Sequence, residues 1–257
     1  MRQETAHVTA NNELMPQVHL MWLESPLVAS QAQPGQFVMV RCGDGDKFQL
    51  RRPFSIHQID GKKLALLFNV VGKGTHWLSQ YQTGNNLDLL GPLGNGFSIH
   101  PGSQNLLLVA GGIGIAPLVF LAQKVSKPGC PVTLLLGAKT AAELYPQNLL
   151  PSKVRLITAT EDGSAGKRGM VTDILPDYID GADQIFACGP PSMYQSMAAQ
   201  KLLKKKSVQI SMEVRMGCGL GVCYGCTVKT KDGLKQVCED GPVFELNDIL
   251  WENLRGV

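Results

Sequence analysis

Four cysteines toward the C-terminal end carry the densest chemistry in this chain: Cys218, Cys223, Cys226 and Cys238, within MGCGLGVCYGCTVKTKDGLKQVC. They run Cys-x4-Cys-x2-Cys, and the fourth follows after eleven further residues. The first three have the plant-type spacing of a 2Fe–2S cluster, in which four thiolates hold two irons. Zinc sites favour two well-separated Cys-x2-4-Cys pairs, whereas here three cysteines crowd one loop. Gly217, Gly219, Gly221 and Gly225 let that loop turn tightly and bring bare amides toward the sulfurs. The expected occupant is an iron–sulfur cluster, with zinc as the alternative, and the expected role is electron carriage.

Three further motifs suit phosphates and dinucleotides. Arg52-Pro53-Phe54-Ser55 heads an apolar stretch; a guanidinium fork suits a phosphate, and a Ser hydroxyl can bond a flavin ring nitrogen. Taken alone, a basic residue before a strand is an ordinary surface charge. Gly72-Lys73-Gly74-Thr75 opens a helix, where free amides attract a pyrophosphate; a capped turn is the plain alternative. Gly111-Gly112-Ile113-Gly114 joins an apolar strand to a helix, so Gly112 and Gly114 suit a dinucleotide phosphate. Pro117 stands where the third glycine of the Rossmann fingerprint falls, a position it fits as part of a first helical turn. Cys188-Gly189-Pro190 ends a strand at the edge where open α/β sheets bind ligands. Cys188 is either a neighbour of the nicotinamide or a buried filler. Glu161-Asp162-Gly163 and Thr172-Asp173 read as turn and cap chemistry. The five histidines lack metal-ligand spacing, and no Ser/His/Asp set stands out.

The elements that position these motifs differ between the two halves. Residues 1–100 read as short strands at Gln17–Trp22, Phe37–Arg41, Phe54–Ile59, Leu64–Val70 and Asn86–Leu90, with a helix over His76–Tyr81. Pro34-Gly35, Gly43-Asp44-Gly45-Asp46 and Asp60-Gly61 punctuate them, as in a small antiparallel barrel. Residues 101–209 alternate apolar strands with helical patterns: Leu106–Val109, Ala116–Val125, Val132–Leu136, Ala141–Leu150, Val154–Thr158, Gln184–Ala187 and Pro191–Lys205. That alternation predicts a parallel sheet covered by helices. Residues 210–257 form a short Gly- and Cys-rich module, and the absence of a low-complexity linker predicts that the three parts pack together.

At 257 residues, 44% apolar and 18% charged, with net charge +3, the chain has the composition of a soluble, well-cored protein. No basic stripe interleaves with aromatics, which argues against nucleic acid. The Lys204-Lys205-Lys206 run reads as a solvated helix end. No Asp, Glu, Lys or Arg occurs from Leu89 to Gln123. Glycines and prolines break that stretch, so a buried strand–loop–helix is expected rather than a membrane span. Seven cysteines in this distribution suit a reducing compartment, and the N-terminal residues lack the layout of a signal peptide. A cytoplasmic location is expected.

An RxxS motif, a GxGT helix start, a GGxGxxP turn and a CGP strand end, in that order, resemble the ferredoxin–NADP reductase superfamily along essentially the whole chain. Within it, Met212–Gly219, the cysteine spacing, Cys238–Phe244 and Leu90–Phe97 resemble the electron-transfer subunits of dihydroorotate dehydrogenase type B. The resemblance implies an antiparallel β-barrel FAD domain, an α/β parallel-sheet nicotinamide (NAD) domain and a small C-terminal 2Fe–2S module. Residue by residue, it sets Arg52, Pro53, Phe54 and Ser55 against the flavin and its phosphates. Leu67, Phe68 and Asn69 line the adjoining strand, and Gly74 and Thr75 hold the pyrophosphate. Phe54 stands where superfamily members often carry Tyr, so a phenolic hydrogen bond is lost while a ring able to stack remains.

A nicotinamide exchanges two electrons as hydride and a 2Fe–2S cluster one at a time, and a flavin joins the two. The resemblance implies an FMN-containing catalytic subunit that oxidises dihydroorotate in pyrimidine (UMP) biosynthesis. Electrons would pass through this chain's cluster and FAD to NAD+, in a heterotetramer of two copies of each chain. No catalytic acid or base is then needed here, and the cluster loop is expected to face the partner. Three alternatives stand beside this reading. One is a reductase for an oxygenase, although ferredoxin domains of such systems are about twice the length of the cluster module. The others are a subunit of a sulfhydrogenase or bifurcating transhydrogenase, and a zinc-stabilised interaction module.

Overall fold

Polar and apolar residues alternate loosely along Arg2–Met15 (β1), burying Ala6, Val8 and Met15 between exposed neighbours. This long strand was not expected from sequence, because its polar content hides the period of two. It pairs with Val18–Glu24 (β2) through a tight turn in which Glu13 accepts the Gln17 amide at 2.8 Å. The computed structural model describes residues 1–43, 50–125 and 130–253. The expected Gly43-Asp44-Gly45-Asp46 turn therefore lies, beyond Gly43, outside the described residues.

Pro26–Ala29 (α1), Phe37–Val40 (β3), Arg52–Asp60 (β4), Lys63–Asn69 (β5), Lys73–Ser79 (α2) and Asn86–Leu93 (β6) follow. The strands close into an antiparallel barrel in the order β1-β2-β5-β4-β3-β6. Met21, Leu23, Val38, Val40, Ile56, Leu64, Leu66, Leu87 and Leu89 fill it. Each such side chain contributes roughly 1.5–3 kcal/mol by leaving water.

The second half opens with Leu106–Gly111 (β7), a single 3-10 turn over Gly112–Gly114, and Ile115–Val125 (α3). Val132–Ala138 (β8), Val154–Thr160 (β9), Lys167–Arg168 (β10), Val171–Ile174 (α4), Pro176–Ile179 (α5), Gln184–Cys188 (β11), Pro191–Ala199 (α6) and Ser207–Ser211 (β12) come next. Thr227–Thr230 (β13) and Gly233–Gln236 (β14) form a hairpin, and Val243–Glu245 (β15) is the last strand. The large sheet runs β10-β9-β8-β7-β11-β12-β15. It is parallel except for β15, which pairs antiparallel with β12. The segment after the last cysteine is thus built into the same sheet as the nucleotide-type domain. α3 buries nine of its eleven residues because it is sandwiched between that sheet and the barrel. The charge-free stretch is therefore an interior strand–turn–helix. Among the described residues, no helix is long and apolar enough to cross a membrane.

Two helical expectations need correction. Ala141–Leu150 is not a helix but two 3-10 turns, Ala141–Glu143 and Gln147–Leu149. Leu144 is extended, and Pro146, which lacks an amide to continue a helix, sits between them. Pro191–Lys205 is α6 followed by a 3-10 stretch, Lys201–Lys205, broken at Gln200, whose ψ is 117°. Gln200 turns its amide to the Thr172 carbonyl instead (3.1 Å). The lysine run is also not wholly solvated, since Lys206 Nζ donates to the Ala182 carbonyl at 2.7 Å.

Candidate cofactor sites

Cys218, Cys223 and Cys226 lie in the loop between β12 and β13 and Cys238 follows β14, and the four thiols come together in two pairs. Cys226 and Cys238 are buried with their sulfurs 3.2 Å apart, and the Cys223 thiol hydrogen-bonds to Cys218. Two irons with two thiolates each require such pairs. Among the described residues, no three His, Cys, Asp or Glu converge on a single ion. Backbone amides are already turned to sulfur: Leu220 N donates to Cys218 Sγ (3.3 Å) and Gly221 N to Cys238 Sγ (3.2 Å). Burial raises the Cys218 thiol, but the amides of Leu220, Cys223 and Val222 and the Cys223 side chain outweigh it, leaving the thiol lowered to about 7. Cys238 is pushed up to about 12 by burial and by its hydrogen bond with Cys226. Gly219 and Gly221, at φ of 73° and 75°, take left-handed turns that other residues resist.

That loop is seated on the barrel. A Cβ at Gly219 would lie 2.6 Å from Met39 Cγ, and Met39 is paired with Pro53 on the adjacent strand β4. Asn95 Nδ2 donates to the carbonyls of Glu239 (3.0 Å) and Asp240 (3.1 Å), and its amide donates to that of Gly241 (2.6 Å). The cluster segment and the Arg52–Ser55 strand are thus separated by the thickness of β3.

On β4, Arg52, Pro53 and Ser55 are half-buried. Arg52 Nε lies 3.7 Å from where a Cβ of Gly74 would stand, so the strand motif and the α2 start are brought together. Gly74 is buried there, and Thr75 Oγ1 receives the amides of Val71 (2.9 Å) and Gly72 (3.1 Å). The hydroxyl of Thr75 therefore shapes the loop. An anion here would meet a guanidinium and a Cβ-free backbone, a donor set that fits a cofactor phosphate. The aromatic expectation differs. Phe54 is 9% exposed and packs edge-on to Phe68 (5.7 Å) in the barrel core, so its ring is turned inward rather than offered for stacking. Leu67 is buried against the second domain, and Asn69, at the end of β5, is half-buried.

The two nucleotide-type motifs also meet. A Cβ at Gly114 would lie 2.1 Å from the Cys188 carbonyl oxygen, so only glycine lets the α3 start back onto the end of β11. Gly112, at φ 54°, faces open space, as a site for phosphate approach requires. Cys188 is 7% exposed, and burial followed by the charge of Glu213 pushes its thiol up to about 12. The thiol is therefore neutral and packed at the end of β11. Tyr194, from α6, braces it by accepting the Gly189 amide (2.9 Å) and donating to the Ser211 carbonyl (2.7 Å).

Sequence reasoning passed over Met39, Tyr194, His57 and Tyr145, and quoted Asn95 only within the Leu90–Phe97 segment without assigning it a contact. His57 stands in sequence only as one of three polar residues, with Ser55 and Gln58, in the Phe54–Ile59 strand.

Comparison with known proteins follows this geometry. Residues 213–250 match the model of the iron-sulfur cluster binding domain of dihydroorotate dehydrogenase B, and residues 108–199 match that of the oxidoreductase NAD-binding domain. The "Dihydroorotate dehydrogenase B (NAD(+)), electron transfer subunit" of Desulforamulus reducens is 38% identical over 96% of this chain and 98% of its own. That of Caldanaerobacter subterraneus is 36% identical with the same coverage. A solved NADH-dependent reduced ferredoxin-NADP oxidoreductase superposes with a TM-score of 0.88 at 30% identity, covering 98% of this chain and 91% of that one. A ferredoxin reductase in carbazole 1,9a-dioxygenase (TM-score 0.67, 21% identity, 79% and 66% covered) shares the fold. With the two-pair thiol loop and near full-length identity to these relatives, the chain belongs to the family of dihydroorotate dehydrogenase B (NAD(+)) electron transfer subunits.

Proposed function

We propose that this chain is the NAD-linked electron-transfer subunit of a dihydroorotate dehydrogenase, using a 2Fe–2S cluster, FAD and NAD. The observation that carries the reading is the seating of Gly219 on Met39, one strand away from Arg52–Ser55, because it sets a cluster loop directly against a flavin-type barrel. When bound, the cluster exchanges single electrons and the flavin one or two, which joins a one-electron path to a two-electron nicotinamide.

Cys218, Cys223, Cys226 and Cys238 ligate the cluster. Arg52 and the backbone at Gly74 hold the FAD phosphates, with Thr75 fixing the loop and Pro53 and Ser55 facing the ring. Phe54 and Phe68 pack behind them in the barrel core, with Leu67 on the opposite face of β5 and Asn69 at the end of that strand. Gly112 and Gly114 take the NAD phosphates, and Cys188 closes the far side of the cleft. Residues 1–100, 101–209 and 210–257 act as the FAD, NAD and cluster parts in the cytoplasm. The cluster loop presents Val222 (73% exposed) and Tyr224 (69% exposed), an apolar rim suited to a partner protein. That partner is the FMN-containing catalytic subunit, two of each chain forming the heterotetramer. Relatives named for this role cover nearly the whole chain at 36–38% identity, which favours it over an oxygenase or bifurcating reductase.

The test is an anaerobic pull-down from the native host, with the eluate assayed for dihydroorotate-dependent NAD+ reduction and the copurified chain identified. Activity with an FMN-bearing chain, in a particle of two copies each, is the expected result. Flavin and cluster without that activity would move the chain to another donor, and a colourless zinc protein would remove electron transfer altogether.

A further inference from the structure

Helix α3 belongs to the nucleotide-type domain by sequence, yet it is fastened to barrel strand β4 at three heights. At its first turn, the Ala116 carbonyl lies 2.9 Å from His57 Nδ1. Midway, Phe120 is fully buried in the barrel core. Near its end, Gln123 Nε2 donates to the Ile59 carbonyl (2.8 Å) and Gln123 Oε1 accepts the Ile59 amide (3.2 Å).

His57 is buried in this seam with both ring nitrogens engaged. It is 0% exposed, and its Nε2 lies 3.0 Å from the Tyr145 hydroxyl, with the rings 5.4 Å apart. A carbonyl can only accept, so Nδ1 carries the proton; Nε2 then accepts, and Tyr145 must donate. A register shift between Ile56 and Gln58 in the β4–β5 pairing marks the position. Ile56 packs into the barrel, while His57 faces α3 on the other side.

The placement connects the two cofactor motifs. His57 is two residues beyond Ser55 on the same strand, and Ala116 is two residues beyond Gly114 at the head of the same helix. We propose that His57 is a positioning residue for hydride exchange: its bonds to Ala116 and Tyr145 set the height of the Gly111–Gly114 loop, and of Cys188 behind it, over the Arg52–Ser55 strand. The proposal rests on the flavin and nicotinamide reading given above. Exchange between two bound rings is steep in their separation, since about 1 Å of misplacement can cost on the order of 10²-fold in rate.

The experiment uses the holoprotein with three substitutions. His57→Phe keeps a ring but loses both hydrogen bonds. His57→Asn returns a donor near the Nδ1 position, and Tyr145→Phe removes only the hydroxyl. Stopped-flow reduction of the flavin by NADH separates the limiting rate from NADH affinity, and hydrogen exchange reads amide protection over residues 111–118 without NADH. With flavin and cluster content at parental levels, His57→Phe is expected to lower the limiting rate about tenfold and leave NADH affinity within about twofold. Protection over 111–118 falls in parallel, His57→Asn restores both, and Tyr145→Phe lies between.

Parental rate and protection in His57→Phe overturn the proposal, as does equal loss in His57→Phe and His57→Asn. Should His57→Phe not fold, parental behaviour of Tyr145→Phe overturns it instead. A parent protein whose flavin NADH does not reduce defeats the electron-transfer reading, and the protection data then decide the His57 contact by themselves.

Discussion

Arg51 donates to the Asp88 carboxylate at 2.6 Å and to its backbone carbonyl at 3.1 Å, while neighbouring Arg52 donates, among the described residues, to the carbonyls of Leu50 and Arg51. Of two adjacent guanidinium groups, Arg51 is tied to the barrel and Arg52 lies beside Gly74. Arg52→Ala is therefore expected to weaken flavin retention by about 10- to 100-fold, the value of one or two charge-assisted hydrogen bonds. Flavin content after gel filtration reads this, and parental content would remove Arg52 from the site. The same residue-level logic applies to Cys223, which is exposed and packs little. Cys223→Ser should abolish the visible absorption and EPR signal of the cluster while leaving the fold intact. A retained cluster would overturn the ligand set.

At the scale of elements, the glycines separate into those that need conformation and those that need space. Gly112 has a left-handed φ of 54° and open surroundings. Gly112→Ala therefore costs only about 1–2 kcal/mol of backbone strain. Gly114 is pressed onto the backbone of Cys188 and Gly189, and neither β11 nor α3 can give way without opening their shared core. Gly114→Ala is expected to cost more, about 1–3 kcal/mol from overpacking plus the displaced loop. It should weaken NADH binding while flavin and cluster content stay parental, read by NADH titration of the holoprotein. Gly219 combines both demands, a φ of 73° and contact with Met39. Gly219→Ala should lower cluster occupancy, measured as iron per chain, without loss of flavin.

For the whole molecule, the buried seam between barrel and sheet gives acid sensitivity. Burial lowers His57 from 6.5 to about 4, only partly offset by the Ala116 carbonyl. Between those values the unfolded chain binds a proton that the folded chain does not, so stability falls as pH falls. The contribution is fully present above pH 6.5 and lost on descending to about 4. A shift of this size corresponds to about 3 kcal/mol. Urea unfolding should show the parent losing about 2 kcal/mol more than His57→Phe between pH 7 and 4.5. Equal losses would mean that the seam opens elsewhere first.

The sequence by itself determined the chemistry of short, contiguous motifs. The cysteine spacing announced a cluster, the glycine turns announced strand-to-helix junctions, and the apolar runs at Leu64–Val70, Leu106–Val109 and Gln184–Ala187 announced strands. Each depends on neighbours within a few residues, so local propensity and period suffice. Tertiary structure decided what depends on distant partners. β1 becomes a strand because β2 and β6 pair with a mostly polar segment. Ala141–Leu150 loses its helical pattern to Pro146 and to the burial of Tyr145 against His57. β15 is recruited into a sheet begun more than a hundred residues earlier. Phe54, legible as a stacking ring, turns inward because Phe68 and the barrel core offer it more apolar contact. The pairing of thiols, the seat of Gly219 on Met39 and the His57 contact were equally out of reach. The last two join residues far apart in the chain, Gly219 with Met39 and His57 with Ala116 and Tyr145, and burial free energy, which no sequence window contains, selects them.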